Sequence, residues 1–166
     1  MMTLTQNEIA LERAFQALNR LLSHKTDSLF AFVLEASPYV TEADAERLQC
    51  VQRLAQEHQE QAQALTRLIL EMDGVPNPLG HDIGVADMNY LSLRFLTGPL
   101  IEYQEHVLSE EREALGPLAH LAPRAAFPAA RRLVEEIIEA DEHGLEKLKS
   151  LQGPHPSPPR KPQQAS

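Results

Sequence analysis

Apolar residues three and four positions apart run through four long stretches of the chain, and in two of them charged or amide groups interrupt the stripe. On the first stretch the face reads Leu18, Leu22, Lys25, Leu29, Phe32; on the second it reads Val51, Leu54, His58, Gln61, Leu65, Leu68. Steps of three and four keep each set on one side of an α-helix. An uncompensated polar group at that depth costs roughly 2–7 kcal/mol. The interrupting residues must therefore bind something or pair with one another.

Capping and breaking residues divide the chain into four predicted helices. Thr5-Gln6-Asn7-Glu8 has the form of a capping box and opens a helix that runs to Ser37-Pro38. Thr41, with Glu42 and Asp44 behind it, caps a second helix ending at Asp73-Gly74. Prolines and glycines keep residues 75–86 from being helical throughout. Asp87 caps a third helix to Leu115, with a kink or break expected at Gly98-Pro99 and a stop at Gly116-Pro117. Pro128 suits the first turn of a fourth helix, which ends near Gly153-Pro154. No strand is expected. The bundle is assigned to residues 1–152, and residues 153–166, rich in Pro, Ser and Gln, are read as a disordered tail.

The short link between the first two helices makes them antiparallel neighbours. The first helix, about 30 residues, is about 45 Å long. Extended, the segment Asp73 to Ala86 spans roughly 46–50 Å, enough to return along the whole bundle. The expected fold is therefore all-α, a four-helix bundle with one long crossover between helices two and three; a compact link would give a plain up-down bundle instead.

The formal charge of −9 and the lack of a basic stripe argue against nucleic-acid binding. The single cysteine, Cys50, excludes an intramolecular disulfide and reads as a buried structural thiol. Thr3 to Glu12 does not have the form of a signal peptide, and no apolar run approaches ~18 residues, so a soluble cytoplasmic protein without membrane contact is expected. There is no Gly-rich phosphate loop and no Gly-x-Ser-x-Gly elbow. Pro156-Ser157-Pro158-Pro159-Arg160-Lys161 has the composition of a Pro-rich ligand for a partner domain, but so short a tail is read as inert.

Particular segments resemble the bacterioferritins. Leu18-Asn19-Arg20-Leu21-Leu22 with Phe30 to Ala36 is similar to their first helix, and Gln61-Ala62 with Leu68 to Asn77 to their second. Glu139 to His143 and Leu145 to Leu148 are similar, less specifically, to their last ligand helix. The resemblance covers about residues 7–152 and implies a ferritin-like bundle. That family holds two metal ions with a Glu on helices one and three and Glu-x-x-His on helices two and four.

Carried onto this chain, the ligand set is mostly absent. Lys25 stands at the helix-one Glu, His58-x-x-Gln61 replaces the helix-two motif, and Ala140-x-x-His143 keeps only the histidine of helix four. On helix three either Glu102 or Glu105 matches. Gln59 stands where the family's haem-binding Met lies, so haem is not supported. The resemblance thus implies a vestigial site, a central polar cluster of Lys25, His58, Gln61, Glu102 and His143. The alternative is a mononuclear iron or zinc site from His58, His143 and Glu102 or Glu105. Glu57-His58, Glu105-His106 and Glu142-His143 cannot each aim both members at one metal, because adjacent helical residues point apart. His81-Asp82 reads as a loop cap, and His24, His120 and His155 show no pattern. The expected function is a non-catalytic binding or structural role, as a homo-oligomer; the alternative is iron or zinc binding with ferroxidase-type oxidation.

Overall fold

The computed structural model describes residues 5–78, 91–121 and 127–152, the side chain of Phe127 excepted. Five α-helices form it: α1 Gln6–Thr26, α2 Leu29–Glu35, α3 Ala45–Glu71, α4 Leu93–Ala119 and α5 Phe127–Leu151, with a 3₁₀ turn at Glu42–Asp44. Among the described residues there is no strand, only an isolated bridge between Tyr39 and Ser92, and no helix is long and apolar enough to cross a membrane. The tail from 153, His81-Asp82, Asp87 and most of the link after α3 lie outside the described residues.

The cap at Thr5 forms as the sequence predicts. The Thr5 N–H donates to Glu8 Oε2 at 2.7 Å, and the Glu8 N–H donates back to Thr5 Oγ1 at 3.3 Å. The long first helix does not. It breaks at Asp27-Ser28, where Asp27 takes φ −102°, ψ 52° and Ser28 is extended. Ser28 Oγ makes no cap bond and turns to His58 Nδ1, 2.8 Å away. The break lets α2 present Leu29, Phe30 and Val33 to the core.

α3 ends in a Schellman motif, with Asp73 rather than Gly74 in the left-handed position (φ 62°). The Gly74 N–H reaches Ile69 O at 2.8 Å, and the Asp73 N–H reaches Leu70 O at 3.0 Å. Gly74 is required for closeness instead: a Cβ there would lie 2.4 Å from the Phe15 ring. α4 continues without a break past Gly98-Pro99 and Gly116-Pro117 to Ala119, beyond the stop the sequence suggests. The residue before a proline avoids helical angles because its Cβ meets the proline ring. Both prolines here follow glycine, which has no Cβ, and buried Leu118 draws the last turn onto the core.

α1, α3, α5 and α4 surround the core in that cyclic order. Two apolar clusters fill it. One joins Ala14 and Leu18 of α1 to Leu65, Leu68 and Ile69 of α3, Ala114 and Leu118 of α4, and Ala130 and Val134 of α5. The other joins Phe30 and Val33 of α2 to Cys50, Val51 and Leu54 of α3, Leu93, Leu96 and Leu100 of α4, and Leu148 of α5. Both α3 and α4 therefore begin at the second cluster and finish at the first. The segments that precede them are tied together: the Tyr39 N–H donates to Leu91 O at 3.3 Å, and the Leu93 N–H to Tyr39 O at 3.0 Å. After Gly74 the chain turns back beside α1, where the Asn77 N–H donates to Asn19 Oδ1 at 2.7 Å.

Helices α3 and α5 meet closely at Gly144, where a Cβ would lie 2.3 Å from Leu54 Cδ2. Gly144→Val must displace the buried Leu54 and overpack the interface. A loss of about 1–3 kcal/mol in urea unfolding is expected, and an unchanged midpoint would show that α3 and α5 can separate without cost.

Candidate functional site

Between the two apolar clusters lies a layer of buried polar side chains, one or two from each long helix. α1 contributes Lys25, α3 His58 and Gln61, α4 Gln104 and Glu111, and α5 Asp141. Lys25 is 2 % exposed, and Glu111 and Asp141 are fully buried. The Lys25 ammonium bridges the two carboxylates: Nζ lies 2.7 Å from Glu111 Oε1 and also donates to Asp141 Oδ2. Gln61 Nε2 donates to Asp141 Oδ1 at 3.1 Å, and Gln104 Nε2 to the Asp141 carbonyl at 3.3 Å. His58 Nε2 faces Asp141 Oδ1 at 3.7 Å, longer than a hydrogen bond. With a carboxylate on that side, the proton is assigned to Nε2, and Nδ1 accepts from Ser28 Oγ. Phe30 and Tyr103 wall the His58 ring, with centroids 5.3 and 6.5 Å away.

Electrostatics sorts the two acids. Burial, then the neighbouring Asp141 carboxylate, pushes the Glu111 carboxyl up to about 9 against the pull of Lys25. Burial also acts to raise Asp141, but the facing His58, the Lys25 charge and the neighbouring Glu111 carboxyl outweigh it and hold its carboxyl below the usual range. Burial and then the Lys25 charge push the His58 imidazole down, so the ring is neutral. At neutral pH the layer carries one ammonium, one carboxylate, one protonated acid and no net charge. That balance permits deep burial. The Tyr103 phenol, pushed up to about 12 by burial, stays protonated and donates to His24 O at 2.9 Å.

Of the residues the sequence singles out, three lie in this layer and three do not. Lys25, His58 and Gln61 meet as expected. Glu102, Glu105 and His143 do not join them: all three are exposed. Glu105 pairs at the surface with Lys149 at 3.0 Å, and His143 lines a groove with Cys50, Glu57 and Lys147. Gln104, Glu111 and Asp141 take the inward places. The physical reason is register. On α5 the buried positions run Ala130, Val134, Ile137, Asp141, Gly144, Leu148, alternating steps of four and three, and His143 falls off that stripe. Cys50 is buried, and burial pushes its thiol up, as expected of a structural cysteine.

This layer does not fit a pair of divalent metal ions. Two such ions need about four carboxylates, and the layer holds two, Glu111 and Asp141. The Lys25 ammonium already supplies the central positive charge. Gln61 Oε1 and Gln104 Oε1 find no donor among the described residues.

A second group escaped the sequence altogether. Outside that layer, between α1 and α4, His24 Nε2 lies 2.5 Å from Glu110 Oε2, and His106 Nε2 lies 3.4 Å from Glu110 Oε1. One available signal was the spacing of His106 and Glu110, four residues apart on one helix.

No protein-family model matches this chain, and no curated protein or solved structure is significantly similar to it.

Proposed function

We propose that this chain is a ferritin-like, bacterioferritin-related bundle protein in which a buried ion network stands in place of a di-metal centre. Its role is then non-catalytic: it binds a partner or builds a homo-oligomer as a cytoplasmic protein. The observation that carries the reading is the Lys25 ammonium, buried between Glu111 and Asp141 at the layer where the resemblance puts metal ligands. The shared direction of α3 and α4 supports a long crossover, the topology ferritin-like bundles use. Leu70 and Phe95, large exposed apolar side chains, offer helix faces for association.

Adding ferrous iron and oxygen to the purified chain tests this reading. The expected result is no oxo-bridge absorption band and no ferroxidase turnover. Two tightly held irons per chain with that band would overturn it. The alternative, a metal-binding bundle with an altered site, is favoured by a different observation, the two histidines beside Glu110.

A further inference from the structure

We propose that His24, His106 and Glu110 form a mononuclear site for a divalent transition metal of the zinc class, outside the central ion network. Each residue offers one donor atom, and the three donors lie within 4.8 Å of one another. Two imidazoles and one carboxylate form a donor set suited to zinc or another first-row ion, whereas calcium and magnesium require oxygen alone. Metal–nitrogen bonds of about 2.0–2.1 Å put neighbouring tetrahedral donors about 3.4 Å apart. Glu110 already sits between the rings at 2.5 and 3.4 Å, one oxygen toward each. The rings stand nearly perpendicular, 87°, with centroids 5.7 Å apart, an edge-to-face contact that keeps the two imidazoles side by side.

The backbone behind these donors is held from inside. His24 and Glu110 each adjoin a member of the buried network, Lys25 and Glu111, and neighbouring helical residues point about 100° apart. The Lys25–Glu111 contact between α1 and α4 within the core thus fixes the outer pair at the same level. Tyr103 additionally holds the His24 carbonyl. His24 is buried, Glu110 half-buried and His106 exposed, so His106 can adjust to a metal without repacking. The site opens into a groove lined by Glu12, Asn19, Arg20 and Asn77. Three protein donors leave the remaining position facing this groove, where water or a small ligand can complete the coordination.

A bare His24–Glu110 ion pair is the competing account, and it gives His106 no part. The metal-free full-length chain is therefore titrated with Co2+, followed by its visible absorption, and then with Zn2+. The expected result is one Co2+ per chain in a four- or five-coordinate site, displaced by Zn2+, with Tm raised by excess Zn2+. His106→Ala, at an exposed position, and Glu110→Gln should each weaken binding at least tenfold, while His143→Ala leaves it unchanged. No binding, binding that survives both His106→Ala and Glu110→Gln, or binding lost in His143→Ala would overturn the site. This inference stands apart from the central reading. Oxo-bridged iron taken up equally by His106→Ala would defeat that reading alone, and failure to bind Co2+ would defeat this one alone.

Discussion

Lys25→Met is expected to destabilise the folded chain by about 3–5 kcal/mol at neutral pH, the usual consequence of removing one partner from a buried ion pair. Methionine keeps most of the length and apolar volume of lysine, so the loss is electrostatic rather than a cavity effect. Without the ammonium, Asp141 must keep a buried charge held only by Gln61 and the more distant His58, or take up a proton. Adding Asp141→Asn removes that charge while leaving an oxygen able to accept from Gln61, so the double variant should recover much of the loss. The two changes are then strongly non-additive, as expected of groups in direct contact. Urea unfolding of the parent, both single variants and the double variant gives the coupling. A loss below about 0.5 kcal/mol for Lys25→Met would be that of a surface lysine and would remove Lys25 from the core.

Glu111→Gln is expected to abolish the loss of stability with rising pH that this buried acid imposes. The unfolded chain releases this proton near the ordinary value of 4.5, whereas the fold keeps it until about 9. Stability from this group is therefore fully present below the unfolded value and is lost as pH rises toward the folded one. Over that window the slope reaches about 1.4 kcal/mol per pH unit for one proton. Asp141 has the opposite sign. Its depressed carboxyl contributes above the ordinary 3.8 and loses that contribution as pH falls below it. Glutamine mimics the protonated acid and cannot titrate. Unfolding midpoints from about pH 5 to about pH 9 should thus shift steadily in favour of the variant. A difference that stays constant across that range would mean that Glu111 is ionised in the fold and pairs with Lys25 as an anion.

The inward register of the chemistry was legible in places where it was misread. On α4 one stripe of buried positions, Leu93, Thr97, Leu100, Gln104, Val107, Glu111, Ala114 and Leu118, alternates by four and three, with Leu96, Ile101 and Leu108 buried beside it. Following that stripe selects Gln104 and Glu111; matching a ligand motif selects Glu102 or Glu105, both exposed. Motif matching tolerates a slip of one residue, but a helix rotates its side chain by about 100° for the same slip, enough to move it from core to water. On α1 and α3 the stripe and the resemblance select the same positions, and Lys25, His58 and Gln61 are buried there.

The sequence by itself determined the all-helical class, the Thr5 cap, and the burial of Lys25, His58 and Gln61. These follow from local capping and from periodicity, which act within a few turns of one helix. Only the tertiary structure decided where the first helix breaks, because His58 on another helix draws Ser28 away from capping. It alone decided which acid carries the proton, since the answer depends on how deeply Glu111 and Asp141 sit and how each faces Lys25. It alone brought His24 to His106 and Glu110. That meeting depends on the rotation of α1 against α4, which packing of the whole core fixes and no single stretch of chain encodes.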